Sequence, residues 1–89
     1  MVLVKRLVLD ILKPHQPNSL EFSRTLAEVG DDYQVNLTVI EIDENTESVE
    51  VEIRARDIDF EAVQAAITEM SGSLHSIDVV EVSSEAARE

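Results

Sequence analysis

The 89-residue chain has no cysteine and no tryptophan, two glycines, two prolines and three aromatic residues, Phe22, Tyr33 and Phe60. Without cysteine there is no disulfide framework, no thiolate metal site and no cysteine nucleophile. Basic residues are scarce as well: seven Lys+Arg stand against 19 Asp+Glu, a formal net charge of −12. Gripping nucleic acid or anionic lipid takes a concentrated positive patch, so neither nucleic acid nor a membrane is expected as a partner. No apolar run approaches the ~20 residues that cross a bilayer. The N-terminal stretch lacks the small-residue cleavage site of a signal peptide, and a cytoplasmic location is the expectation. A chain of this length supports one modest core and excludes a multidomain enzyme.

Only Lys5 and Lys13 are lysines, and the other five cations are arginines. Many carboxylates with few lysines suit a protein in molar salt, where self-repulsion is screened within ~3 Å. A halophilic cytoplasm is the expected setting.

What remains is strongly periodic. The run Val2 to Leu12 is rich in branched residues and almost continuously apolar, as in a central strand buried on both faces. Pro14 and Pro17 then place Lys13 to Asn18 in a loop. Asn18 is an N-cap candidate with Glu21 three positions on, opening a helix over 19–29 whose stripe is Phe22, Leu26 and Val29. Gly30 is expected as its left-handed terminus. Tyr33 to Ile42 alternates as a half-buried strand, Asp43 to Thr46 turns, and Val49, Val51, Ile53 and Ala55 alternate in a third strand. A second helix opens at Asp57 or Asp59 and runs to Met70, with Ile58 and Val63 placed as a hydrophobic staple. Ser71-Gly72 ends it, and Leu74 to Val82 is the last strand. Residues 1–82 form the single domain; 83–89 read as a flexible acidic tail.

The order is βαββαβ, the ferredoxin-like α+β plan: a four-stranded antiparallel sheet in the order 4-1-3-2 with two helices on one face. The topology carries residues distant in sequence to one end of the sheet. Asp10, Lys13, His15, Glu41, Asp43, Glu47, His75, Ser76 and Asp78 should meet there, including both histidines. Asp10, His15, Glu41, Asp43, His75 and Asp78 are the candidate ligands for a divalent cation. Carboxylates would suit Ca²⁺ or Mg²⁺, and two histidines with a carboxylate would suit Mn²⁺, Zn²⁺ or Fe²⁺. No HExxH or EF-hand pattern is present, and solvated turn carboxylates with a hydrogen-bonded His75 are the simpler account. On the face away from the helices Val4, Val8 and Leu12, joined by Ile40, Ile42 and Val80, suggest a surface for homo-oligomerisation. Lys5 is the exception on the inner face.

The blocks Val8-Leu-Asp-Ile-Leu-Lys-Pro-His-Gln-Pro17, Val35-Asn-Leu-Thr-Val-Ile-Glu-Ile-Asp43 and Gly72-Ser-Leu-His-Ser-Ile-Asp78 resemble the archaeal family known as domain of unknown function 211. The resemblance implies a ferredoxin-like fold and ring-like homo-oligomers, with no established enzyme function. The family pattern falls on Asp10, Lys13, Pro14, His15, Glu41, Asp43, His75, Ser76 and Asp78.

Three functions can then be set against each other. The first is a non-enzymatic, homo-oligomeric regulatory module that binds a small ligand or cation between subunits. The second is a metal-dependent enzyme using Asp10, His15, Glu41 and His75, for which there is no Ser-His-Asp arrangement or phosphate loop. The third, an RNA-binding ferredoxin-like domain, needs exposed aromatics and a basic sheet, and this chain has neither to spare. The first is preferred.

Overall fold

Branched aliphatics give Val2–Pro14 its extended form, and this segment is β1; it is followed by α1 (Ser19–Ala27), β2 (Gln34–Ile42), β3 (Thr46–Arg54), α2 (Phe60–Glu69) and β4 (Ser73–Ser84) in a computed structural model that describes residues 1–84. The four strands make one antiparallel sheet in the order β2-β3-β1-β4, the expected order read from the other edge. The fold is the ferredoxin-like βαββαβ arrangement, and the two helices cover one face of the sheet.

Period-2 alternation decides what lies under the helices. Leu7, Leu9 and Ile11 of β1 pair with Ile53, Val51 and Val49 of β3, and all six are buried against Phe22 and Leu26 of α1 and Val63 and Ile67 of α2. Each such side chain contributes roughly 1.5–3 kcal/mol by leaving water. Both expected N-caps form: Asn18 Oδ1 accepts the Glu21 N–H at 2.9 Å, and Asp59 Oδ1 accepts the Ala62 N–H at 3.1 Å. The staple residues Ile58 and Val63 are both in the core. Glu21 does not reach back to Asn18; its carboxylate meets Arg24 instead, so the capping box is half made.

Several boundaries differ from the sequence expectation. Lys13 and Pro14 are the last residues of β1, not loop, because the ladder to β3 continues through Lys13↔Glu47 and Pro14↔Thr46. Neither glycine takes a left-handed conformation. At Gly30 the missing side chain makes room for the Tyr33 ring, which a Cβ there would strike. After α2 it is Ser71, at φ 66°, that adopts the left-handed turn. Gly72 then donates to Ile67 O at 2.9 Å and passes so close to Ile67 and Phe22 that a Cβ would lie 3.0 Å from Ile67 Cγ2. Strand β4 runs on through Ser84, pairing Ser83 with Leu3 and Ser84 with Val2. The rest of the expected tail, 85–89, lies outside the described residues.

β4 is irregular in a way that matters for its polar side chains. Its pairing with β1 shifts at three places, between Val4 and Arg6, Val8 and Leu9, and Asp10 and Ile11. The first leaves Lys5 without a partner on β4, which accounts for a lysine in a buried strand; its ammonium donates to Arg56 O at 3.2 Å. The other two insert Asp78 and His75 as extra residues.

Candidate functional site

The ends of β1 and β2 and the starts of β3 and β4 lie together, as the topology requires, but the candidate residues divide between the two faces of the sheet. On the helix side the inward alternation Leu9, Ile11 continues to Lys13, whose side chain is fully buried. Its ammonium donates to Pro14 O at 2.8 Å and to Glu47 Oε1 at 3.2 Å, and stands 5.6 Å from the centre of the Phe22 ring. A buried ammonium is tolerated only when paired and hydrogen-bonded, and these three contacts meet that condition.

Glu47 is shared. Its other oxygen, Oε2, is 2.9 Å from His15 Nδ1, while His15 Nε2 is 2.9 Å from the Glu44 carbonyl oxygen. A carbonyl and a carboxylate only accept, so both ring nitrogens donate when the imidazole is protonated. The hydrogen bond to Glu47, reinforced by the Glu44 carbonyl, holds the His15 pKa above its ordinary 6.5. His15 and then Lys13 hold Glu47 below its ordinary 4.5. This network fastens the β1–α1 loop to the β2–β3 turn, which is closed by Asp43 N–H donating to Thr46 O at 2.8 Å.

Asp10, His75, Ser76 and Asp78 occupy the open face. Asp10 stands between Glu50 on β3 and Ser76 on β4, and His75 Nδ1 approaches its Oδ2 to 3.2 Å. Ser76 Oγ donates to Asp78 Oδ1 at 2.7 Å. Both His75 and Asp78 are the inserted residues of bulges, a device that re-aims side chains. The imidazole of His75 is 78% exposed and has no recorded contact at Nε2 among the described residues.

Of the six candidate ligands the structure therefore joins Asp10 to His75, sets Asp78 beside Ser76, and assigns His15 to a separate network. Glu41, opposite Ser48 beyond a register shift in β2, and Asp43, in the turn, are exposed, and their carboxylates join neither group. Among the described residues no three His, Asp or Glu side chains stand close enough together to hold a metal ion. The residue missing from the candidate ligands is Glu47. Its signal was the alternation of β1: once Lys13 is read as inward-facing, a buried counter-charge is required of its β3 neighbour.

The sequence comparisons agree on where this chain sits. The family model DUF211, described as "Uncharacterized ArCR", matches residues 5–87. An uncharacterized protein of the archaeon Methanocaldococcus jannaschii is 43% identical over 77 residues, covering 86% of this chain and 79% of that protein.

Proposed function

The chain belongs to the DUF211 family, and from that premise we propose that it is a non-enzymatic module that assembles with copies of itself and takes a small ligand or cation at the open-face corner. The observation that carries this reading is the state of the two sheet edges. β4 presents Ile77, Val79, Val80 and Val82, with Val80 57% and Val82 54% exposed, and β2 presents Val39, Ile40 and Ile42 at the opposite edge. Long apolar edges of this kind favour pairing with another chain. Strand directions alternate from β2 through β3 and β1 to β4, so β4 of one copy meets β2 of the next in the antiparallel sense. Such a contact joins two different surfaces, and it closes into a ring when the rotation between copies permits.

The Asp10–His75 pair lies beside that β4 edge. A carboxylate that orients an imidazole through Nδ1 leaves Nε2 outward, the arrangement that commonly backs a metal-ligating histidine. One imidazole and one carboxylate leave the rest of a cation's shell to water, a bound ligand or a second copy, and an imidazole nitrogen suits Mn²⁺ better than Ca²⁺ or Mg²⁺. The alternative, a metal-dependent enzyme that also uses His15, is less well supported, because both ring nitrogens of His15 are already engaged. The excess of carboxylates over lysines supports a salt-rich cytoplasm as the setting. No helix among the described residues is long and apolar enough to cross a membrane.

Native mass spectrometry of the full chain tests the assembly. Multiples of the 9.9 kDa chain mass are expected, reduced to monomer by Val80→Lys with an unchanged circular dichroism spectrum. A wild-type chain that stays monomeric at every concentration ends the proposal. For the cation, Mn²⁺ at fixed ionic strength should raise the melting temperature of the wild type and not of Asp10→Ala; equal shifts in both would remove the site.

A further inference from the structure

Two arginines face each other across the open side of the sheet. Arg6 of β1 lies directly opposite Arg54 of β3, and the same row continues to Gln34 on β2 and Glu81 on β4. The chain has only seven basic residues. Setting two of them in direct cross-strand opposition works against the sheet, where facing like charges destabilise. One side chain offsets this: a single oxygen of Glu52, Oε2, lies 2.5 Å from Arg6 Nε and 3.2 Å from Arg54 Nη2. The Arg6 hydrogen bond is the main reason that the Glu52 carboxyl is held below its ordinary 4.5.

A guanidinium carries five N–H donors. Among the described residues, one shared carboxylate oxygen is the only recorded partner of both forks, and the Arg54 side chain is 54% exposed. The neighbouring surface is concave and rich in donors. A depression of about 280 Å³ lies over Gln34, Asn36, Glu52 and Arg54. It adjoins one of about 380 Å³ that shares Gln34 and Arg54 and is lined also by Lys5, Arg56, Asp32 and Glu81. Asp32 is partly committed, its Oδ2 accepting the Arg56 N–H at 2.8 Å.

We propose that the Arg6–Arg54 row, with the Gln34 and Asn36 amides and the Lys5 ammonium beside it, binds the phosphate group of a small metabolite. Arginine forks match phosphate oxygens two at a time, and an anion carrying more than one charge answers several cations at once. Glu52 is a positioning residue, holding the two guanidiniums side by side. A long polyanion is disfavoured, because the charge of −12 on the whole chain repels extended phosphate backbones. The site lies within one subunit and requires no partner copy.

The test is calorimetric titration of the full chain with inorganic phosphate at fixed ionic strength, with chloride, acetate and malonate as comparisons. Saturable phosphate binding is expected, weakened about tenfold by Arg54→Gln, which removes one charge-assisted fork. Gln34→Ala should weaken it by a smaller factor, and Arg24→Gln, remote on α1, should leave it unchanged. The Val80→Lys chain should bind as the wild type does, which separates this site from the assembly proposal. Absence of saturation, wild-type affinity in Arg54→Gln, or malonate binding as tightly as phosphate would overturn it.

Discussion

Glu47 is the residue on which the helix-side network depends, because it answers two cations at once. Removing its charge by Glu47→Gln strands the buried Lys13 ammonium and releases His15; a loss of about 3 kcal/mol is expected in chemical denaturation, since breaking a buried pair leaves an uncompensated charge. Lys13→Met should cost clearly less, as the methionine fills the space against Phe22 and Glu47 keeps His15. The reverse ranking would show that the cation, not the carboxylate, organises this corner. The clasp also titrates. His15 binds its proton more tightly when folded, so its contribution is complete below 6.5 and fades as pH rises through the raised folded value. Glu47 is held below 4.5, so its contribution is complete above 4.5 and is lost as pH falls through the lowered value. Between those limits the clasp is strongest. The difference in melting temperature between wild type and His15→Gln should accordingly be largest near pH 5.5 to 6, of the order set by these two values, and should shrink at pH 9; a difference that grows with pH contradicts the assignment.

At the scale of elements, the short helices rely on their caps as well as their buried stripes. Asn18→Ala and Asp59→Ala should each destabilise by about 1 kcal/mol, measured by urea unfolding; the Asp59 backbone N–H, which donates to the Tyr33 hydroxyl at 2.7 Å, is kept in Asp59→Ala. These caps, the staple and the alternation of β2 and β3 were legible in the sequence because each is a local pattern, set by residues within a few positions of one another. The irregularities were not. Nothing in Ser73–Ser84 announces that His75 and Asp78 are inserted residues, since a bulge is defined by the partner strand's register and not by the bulged strand alone. The open-face row was hidden for the same reason: Arg6, Arg54 and Gln34 are 48 and 20 residues apart by their numbers in the sequence and become neighbours only when three strands are in register. Gly30 misled in the opposite direction. Its position after a helix suggests a left-handed cap, and the structure uses it as space for Tyr33.

For the whole molecule, the question is how a chain with a net charge of −12 stays compact. Pairing supplies part of the answer. The described ion pairs set Arg24, Lys13, Arg6 and Arg54 against Glu21, Glu47 and Glu52, so each of these four cations answers a carboxylate. Carboxylates such as Glu41, Asp43, Glu50, Glu61 and Glu69 are exposed, and their mutual repulsion favours the expanded chain. Screening removes that term: the Debye length falls from ~10 Å at 0.1 M salt to ~3 Å at 1 M. The melting temperature should therefore climb steadily with KCl over about that range, with the exposed Arg24–Glu21 pair losing little of consequence because such pairs are worth under about 1 kcal/mol. Charge alone predicts that KCl and a divalent salt act equally at equal ionic strength. A selective cation site predicts an additional step with Mn²⁺ at far lower concentration, absent in Asp10→Ala. Measuring both series on one preparation separates a salt-screened surface from a bound ion, and a melting temperature that falls as KCl rises would refute the salt-adapted reading of the composition.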